Sequence, residues 1–247
     1  MALSEANWYQ NWFGKDYLKV YSHRDQEDAK QLVQLIHSKI QLTKNAKILD
    51  IGCGQGRHLS IFAEQNFNIT GIDLSEVLLK IAKEKNIHYP NAFFIQADMR
   101  HLPLNFQFDL ILNLFTSFGY FEEDADNNSV LRQIYFLLGP QGKFVFDYFN
   151  SNYIKENLVP EHKQKVGDLL VEQKRFIENS RVKKKIVLKK DGKISTYYES
   201  VKLYSPDEIY QMLRSVGLKI NRKFGNYDGS EFESQSPRLI VFGEKFE

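Results

Sequence analysis

Apolar positions in the first half of the chain alternate between two textures. Short runs are almost continuously apolar: 47–51 (KILDI), 68–72, 92–96, 108–112 and 142–148, the last following the turn Gly139-Pro140-Gln141-Gly142. Between them, apolar residues recur every three or four positions. Over 25–40 (DQEDAKQLVQLIHSKI), Ala29, Leu32, Val33, Ile36 and Ile40 share one face with acids in the first turn, which predicts an amphipathic helix. Residues 57–65 and 124–138 repeat that periodicity. A further helix begins behind Ser75 as N-cap, with Leu78, Leu79 and Ala82 on its buried side. Strands apolar on both faces, alternating with helices, predict a doubly wound, Rossmann-like α/β fold with a mostly parallel seven-stranded sheet.

The pattern changes after about residue 150. Segments 169–178, 181–190 and 195–204 are rich in β-formers and separated by the turn sequences Glu178-Asn179-Ser180 and Asp191-Gly192, which predicts an antiparallel meander. The Arg181-Val182-Lys183-Lys184-Lys185 run within it reads as a solvated strand face that resists edge pairing. Residues 206–216 return to helix, with Ser205 as cap, Pro206 at the first position and Gly217 closing. Strands at 218–224 and 238–246 finish the chain. The expected organisation is one α/β domain from 1–150 and 205–247, with 1–45 as an N-terminal helical lid and 151–204 as an antiparallel insertion capping a substrate site.

Composition narrows the classes. Of 247 residues 43% are apolar, and 33 basic against 31 acidic side chains leave a net charge of +2 without a concentrated basic field, so nucleic acid is an unlikely partner. One cysteine, Cys53, permits no internal disulfide, and the sequence carries neither a signal-peptide pattern nor an apolar stretch long enough to span a membrane; a cytoplasmic protein is expected. No metal is expected, and the sequence does not set the oligomeric state. Aromatic residues reach 14%, and six of them, Trp8, Tyr9, Trp12, Phe13, Tyr17 and Tyr21, fall at helical spacing near the start.

Chemistry concentrates at strand ends. The first strand breaks into ILDIGCGQGRHL, with Gly52, Gly54 and Gly56 at alternate positions. Glycines allow a ligand to approach the backbone, and the following helix offers free amides. The dinucleotide fingerprint G-x-G-x-x-G would need glycine where Arg57 stands, and Asp50 puts a carboxylate beside the loop that disfavours a pyrophosphate. Asp73 (GIDLS) and Asp98 (QADMRHLP) follow the next two strands, where carboxylates can accept from ribose hydroxyls and an adenine amino group.

These motifs, with FDLILNLFTSFGYF and LLGPQGKFVFD, resemble in order and spacing those of class I S-adenosyl-L-methionine-dependent methyltransferases across residues 46–149. The aromatic N-terminus and late insertion make the chain similar to bacterial small-molecule methyltransferases, including sugar N-methyltransferases and the glycine N-methyltransferase-like group. The resemblance implies that Gly52 and Gly54 lie against the methionine moiety of the cofactor and that Asp50 faces its ammonium. Asp73 would hold the ribose with Leu74 on the adenine, Asp98 and the amide of Met99 would meet the adenine edge, and Asn113 and Leu114 would turn main-chain carbonyls to the methionine. Arg24 would meet its carboxylate, with a ring such as Tyr21 covering the sulfonium.

On the acceptor side, FTSFGYF contains no acid or histidine and departs from the N/D-P-P-Y/F signature of enzymes methylating nucleic-acid amino groups. Tyr120 is the candidate proton-handling group there; Tyr17, Phe118 and Tyr148 are candidate substrate contacts, with Asp147 also facing the crevice and His58 and His101 as lesser candidate bases. The absence of an evident base favours an amine acceptor on a small molecule. Two other readings stay open at this point: a nicotinamide-dependent oxidoreductase, and a non-catalytic module that keeps the cofactor pocket.

Overall fold

The computed structural model describes residues 7–21 and 26–246. The first elements are helices: α1 (Trp8–Trp12), α2 (Lys15–Val20) and α3 (Gln26–Lys39). Strand and helix then alternate as β1 (Lys47–Ile51), α4 (Arg57–Glu64), β2 (Asn68–Asp73), α5 (Glu76–Lys85), β3 (Ala92–Gln96), β4 (Phe108–Asn113), α6 (Asp124–Leu137) and β5 (Leu138–Phe149). After α7 (Ser151–Asn157) come β6 (Glu161–Val166), β7 (Leu169–Glu178), β8 (Arg181–Lys190) and β9 (Lys193–Lys202), then α8 (Pro206–Ser215), β10 (Leu218–Phe224) and β11 (Arg238–Lys245).

Seven strands form one sheet in the order β10-β11-β5-β4-β1-β2-β3, with β1 to β5 parallel and β11 running antiparallel to β5. The α/β expectation holds. Leu32, Ile36, Leu59, Phe62 and Leu79, from α3, α4 and α5, pack with one face of the sheet, whereas Val130, Leu131, Ile134, Ile209 and Leu213, from α6 and α8, pack in the other cluster. Both faces are therefore covered, which is why these strands carry no polar alternation. Sheet order reverses beside β1, where β2 lies on one side and β4 on the other, and this opens a crevice at their carboxyl ends.

The second sheet is antiparallel, in the order β6-β7-β8-β9, one strand more than the meander predicted. Its two tight turns put Asn179, Ser180, Asp191 and Gly192 at positive φ, as two-residue hairpin loops require. Leu169, Val171, Ile186 and Leu188 from this sheet join Trp8, Tyr9, Trp12 and Val20 from α1 and α2 in the cluster that also holds Ile51 and Phe146. The N-terminal helices, the antiparallel sheet and the parallel sheet thus share one core. No helix of the described residues is long and apolar enough to cross a membrane.

Candidate active site

The glycine loop begins where β1 ends. Gly52 and Cys53 donate their amides to the Ile72 carbonyl at 2.8 and 2.9 Å, tying the loop to β2. Gly52 has φ 80°, and a Cβ built on it would stand 2.7 Å from Ser117 Cβ and 2.9 Å from Ser117 Oγ. Only glycine lets the loops after β1 and β4 meet this closely. The amides of Gly54 and Ser75 each donate to Asp73, at Oδ2 and Oδ1 and 2.8 Å in both cases. Asp73 is thereby turned inward at the end of β2, each oxygen keeping a lone pair for a further donor. Burial raises its carboxyl pKa, opposed by those amides.

A cavity of about 570 Å³ runs along this line of strand ends. Asp50, Gly52, Gly54, Asp73, Leu74, Asp98, Met99 and Leu114 line it, as do Tyr17, Tyr21 and Tyr120. Asp50 is 1% exposed and its Oδ1 has no hydrogen-bond partner. Burial, then the neighbouring Asp73, push its pKa up to about 8, with Arg57 opposing. A buried carboxylate with an unpartnered oxygen on a cavity wall calls for a donor carrying positive charge. His58, also on the wall, is held neutral by burial and by the adjacent Arg57, which push its pKa down to about 3. Its imidazole is therefore neutral and only weakly basic. His101 is exposed and does not line the cavity.

At the far end the side chain of Asp98 is engaged by Arg100, whose Nη2 donates to Oδ2 at 2.6 Å and whose amide donates to Oδ1 at 2.9 Å. Arg100 also donates to Asp126 at 2.8 Å. Burial works against ionisation of Asp98, yet Arg100 takes its pKa below the ordinary carboxylate value. Asp98 is a fixed anion at that end of the cavity.

The loop after β4 is held by partners from distant segments. Phe115 and Thr116 adopt φ of 54° and 63°, and Asp147 accepts from the Phe115 amide at 2.8 Å, from Tyr227 Oη at 3.0 Å and from Arg238 at 2.6 Å. Asp147 is fully buried in this network and does not face the crevice. Asn113 lies below the cavity, its Nδ2 donating to the carbonyls of Ile51 at 2.9 Å and Ser117 at 3.1 Å. Two expected substrate contacts need correction. Phe118 is 1% exposed and packs on Phe146, Tyr148 and Tyr204, and Tyr148 is 0% exposed with its hydroxyl donating to the Lys202 carbonyl. Both rings turn into the core because burial of their apolar surface outweighs exposure to the crevice. Tyr120, two residues after Phe118 in the loop, does reach the cavity, its ring centroid 4.9 Å from Trp8 and 5.9 Å from Phe13.

The insertion completes the far wall. Tyr17 and Tyr21 stand 5.0 Å apart by ring centroids, opposite Lys184 and Glu199 from β8 and β9. The Ser75 hydroxyl, besides capping α5 through the Leu78 amide, donates to the Phe13 carbonyl and so ties the N-terminal helices to the loop after β2. Arg24 lies outside the described residues.

Four groups escaped the sequence reading. Arg57 stacks its guanidinium carbon 4.9 Å from the Phe115 ring centroid on the cavity wall; its position after the glycines was noted only as a missing fingerprint glycine. Glu199 carried no motif, being one acid within a polar strand, and Lys184 fell in the basic run read as a solvated strand face. Arg181 is 4% exposed, against the expectation of a solvated strand face. Its guanidinium donates to the carbonyls of Gly119, Tyr120 and Phe121, at 3.2, 3.0 and 3.1 Å, and to Ser200 Oγ at 2.7 Å.

Comparison with known proteins gives a consistent picture. A family model described as "Methyltransferase domain" matches residues 42–217. "Putative methyltransferase YqeM" of Bacillus subtilis (strain 168) is 25% identical over 212 residues, covering 83% of this chain and 86% of its own. A dTDP-3-amino-3,6-dideoxy-alpha-D-glucopyranose N,N-dimethyltransferase of Streptomyces fradiae is 32% identical over 142 residues, 57% of this chain and 51% of its own, so the chain spans about half that relative. Among solved structures, an S-adenosylmethionine-dependent methyltransferase from Clostridium acetobutylicum ATCC 824 matches with a TM-score of 0.82 at 21% identity, covering 93% of this chain and 96% of that one. At that identity the likeness is one of fold.

Proposed function

This chain belongs to the methyltransferase domain family, and from that premise we propose that it transfers a methyl group from S-adenosylmethionine to an amine of a small molecule. The observation that carries the cofactor reading is Asp50: a buried carboxylate with an unpartnered oxygen, on a cavity wall beside a glycine loop, fits an ammonium group. Asp50 beside the glycine loop opposes a pyrophosphate, which argues against the nicotinamide alternative, whereas Asp73 suits the ribose of either cofactor. Asp50 would take the ammonium, Asp73 the ribose hydroxyls, Leu74 and Met99 the adenine faces and edge, and Asp98 the adenine amino group. Arg57, on the same wall, brings positive charge to the methionine end and complements a carboxylate there.

When bound, the cofactor supplies an electrophilic methyl on a positively charged sulfur, so the residues here need only align and enclose. Tyr17, Tyr21, Phe13 and Tyr120 form an aromatic wall that excludes water and presents π faces to positive charge. Glu199 is the carboxylate on the acceptor wall, and it already accepts from Trp12, Tyr21 and Lys184. That arrangement suits an acceptor nitrogen arriving neutral, which needs no strong base. The Streptomyces fradiae relative is by name an N,N-dimethyltransferase of an amino sugar, and its similarity supports an amine acceptor here. Tyr120 is then a candidate for holding the departing proton, residues 151–204 form the acceptor cap, and the cytoplasm is the corresponding location.

Release of S-adenosylhomocysteine across a panel of amines, phenols and carbon acids tests the proposal. Turnover confined to amines is expected; turnover confined to the other two classes, or binding of NADH in place of S-adenosylmethionine, would overturn it.

A further inference from the structure

The cavity wall opposite the glycine loop contains a carboxylate bonded to three elements at once. Glu199 Oε1 accepts from Trp12 Nε1 at 2.7 Å and from Tyr21 Oη at 2.8 Å, and Oε2 accepts from Lys184 Nζ at 2.6 Å. Lys184 also donates to the Tyr21 hydroxyl at 2.7 Å, closing a ring of three side chains. Trp12 ends α1 and Tyr21 follows α2, so both donors to Oε1 belong to the lid, whereas Glu199 and Lys184 belong to the insertion. The side chains of Glu199 and Lys184 are each 16% exposed, so water competes weakly for these bonds.

Three further observations make this more than a surface pairing. Glu199, Lys184 and Tyr21 all line the cavity. Trp12 is 1% exposed and rests on the Tyr197 ring of the same strand, centroids 4.8 Å apart, while Tyr197 donates to Asp16 of α2 at 2.8 Å. Polar contacts thus run from both α1 and α2 to β9. Toward the glycine-loop side the same helices are met by the Ser75 hydroxyl, which donates to the Phe13 carbonyl, and by Tyr120, whose ring packs on Trp8 and Phe13.

We propose that Glu199 is a positioning residue: it latches the lid to the acceptor-side sheet and so fixes Tyr21 and Tyr17 over the transfer site. This rests on the reading of the cavity as a cofactor and acceptor chamber. With one oxygen holding the lid and the other neutralised by Lys184, the carboxylate sets the position of the aromatic wall without touching the reacting atoms.

The test uses Glu199→Ala and the near-isosteric Glu199→Gln in the full chain, with amide hydrogen exchange and calorimetric titration of S-adenosylhomocysteine. In Glu199→Ala, exchange across residues 8–20 rises about tenfold and affinity falls about tenfold, with exchange of Leu49–Ile51 and of Ile111–Leu112 unchanged. Glu199→Gln keeps an oxygen for Trp12 and Tyr21 and loses the ion pair, so it gives smaller changes in both readouts, and it carries the test should the alanine variant not fold. Unchanged lid exchange in both variants overturns the proposal, and so does faster exchange spread evenly through β1 and β4. Lid exchange is read in the ligand-free protein, so a failure of the latch is distinguishable from a failure of the cofactor reading, which shows as wild-type protein that does not bind S-adenosylhomocysteine.

Discussion

Replacing Arg181 with methionine removes the guanidinium that holds the loop after β4 while keeping most of the side-chain length. The wild-type group makes five hydrogen bonds: to the carbonyls of Gly119, Tyr120, Phe121 and Ser200, and to the Ser200 hydroxyl. Its nearest carboxylate, Glu122, stands 3.8 Å away and is 60% exposed, so carbonyl dipoles supply most of the compensation for the buried charge. A buried carbonyl left without a donor costs about 1–3 kcal/mol; Gly119 keeps the Lys202 amide and Phe121 keeps Asn127 Nδ2, so the full penalty falls on Tyr120 and the others lose one of two donors at most. Relaxation and entry of water recover part of this, removing the cation relieves its own desolvation, and no buried charge is stranded because Glu122 is exposed, so the net loss should be about 2–3 kcal/mol. For a chain of this length 1 kcal/mol moves the melting temperature by about 2–4 °C, which gives a drop of about 4–12 °C. Thermal and urea melts at one pH would measure it, with Arg181→Lys falling between. Because the loop carries Tyr120, turnover should fall further than cofactor affinity. A melting temperature within about 2 °C of wild type would refute the claim that this guanidinium organises the loop.

Other consequences are equally specific. Asp50 is raised to about 8 in the ligand-free protein from an unfolded value of 3.8, so the stability that goes with its protonated form is fully present below about pH 4 and lost as pH rises through about 8. Asp50→Asn should therefore raise the melting temperature of the free protein at pH 8 and weaken S-adenosylhomocysteine binding. In the wild type an ammonium ligand draws Asp50 into its ionised form, so binding releases a proton and tightens as pH rises towards about 8; calorimetry in buffers of different ionisation enthalpy reads that proton, and pH-independent binding without proton release would count against Asp50 as the ammonium partner. Gly52→Ala combines a φ of 80° with a Cβ 2.7 Å from Ser117 Cβ, and should cost about 2–4 kcal/mol in urea melts, relieved in part by Ser117→Gly. Asp73→Ala removes the acceptor held by the Gly54 and Ser75 amides and should abolish detectable cofactor binding with the parallel sheet still folded by circular dichroism.

Much of the cofactor side was legible because parallel strands buried on both faces leave continuous apolar runs, and functional residues then fall where the runs stop. Asp50, Asp73 and Asp98 were located by that rule, and the cavity brings them together with Leu74, Met99 and Leu114. The acceptor side follows no such rule. Strand β6, EHKQKV, is an exposed edge without the apolar alternation that marks a half-buried strand, and only backbone pairing with β7 reveals it. Arg181 sits beside three lysines and looks solvated by composition; its partners are main-chain carbonyls about sixty positions earlier, to which no residue type points. Phe118 and Tyr148 carry the opposite lesson. An aromatic residue at a strand end can face the crevice or the core, and sequence alone does not choose between them.

The central claim is methyl transfer from S-adenosylmethionine to nitrogen in this cavity. Incubation with cofactor bearing a deuterated methyl and a mixed panel of small amines and alcohols, followed by mass spectrometry of the products, tests it most directly. The label should appear on an amine nitrogen with wild-type protein and be lost with Asp73→Ala. Label found only on oxygen or carbon, or transfer that survives Asp73→Ala undiminished, would contradict it.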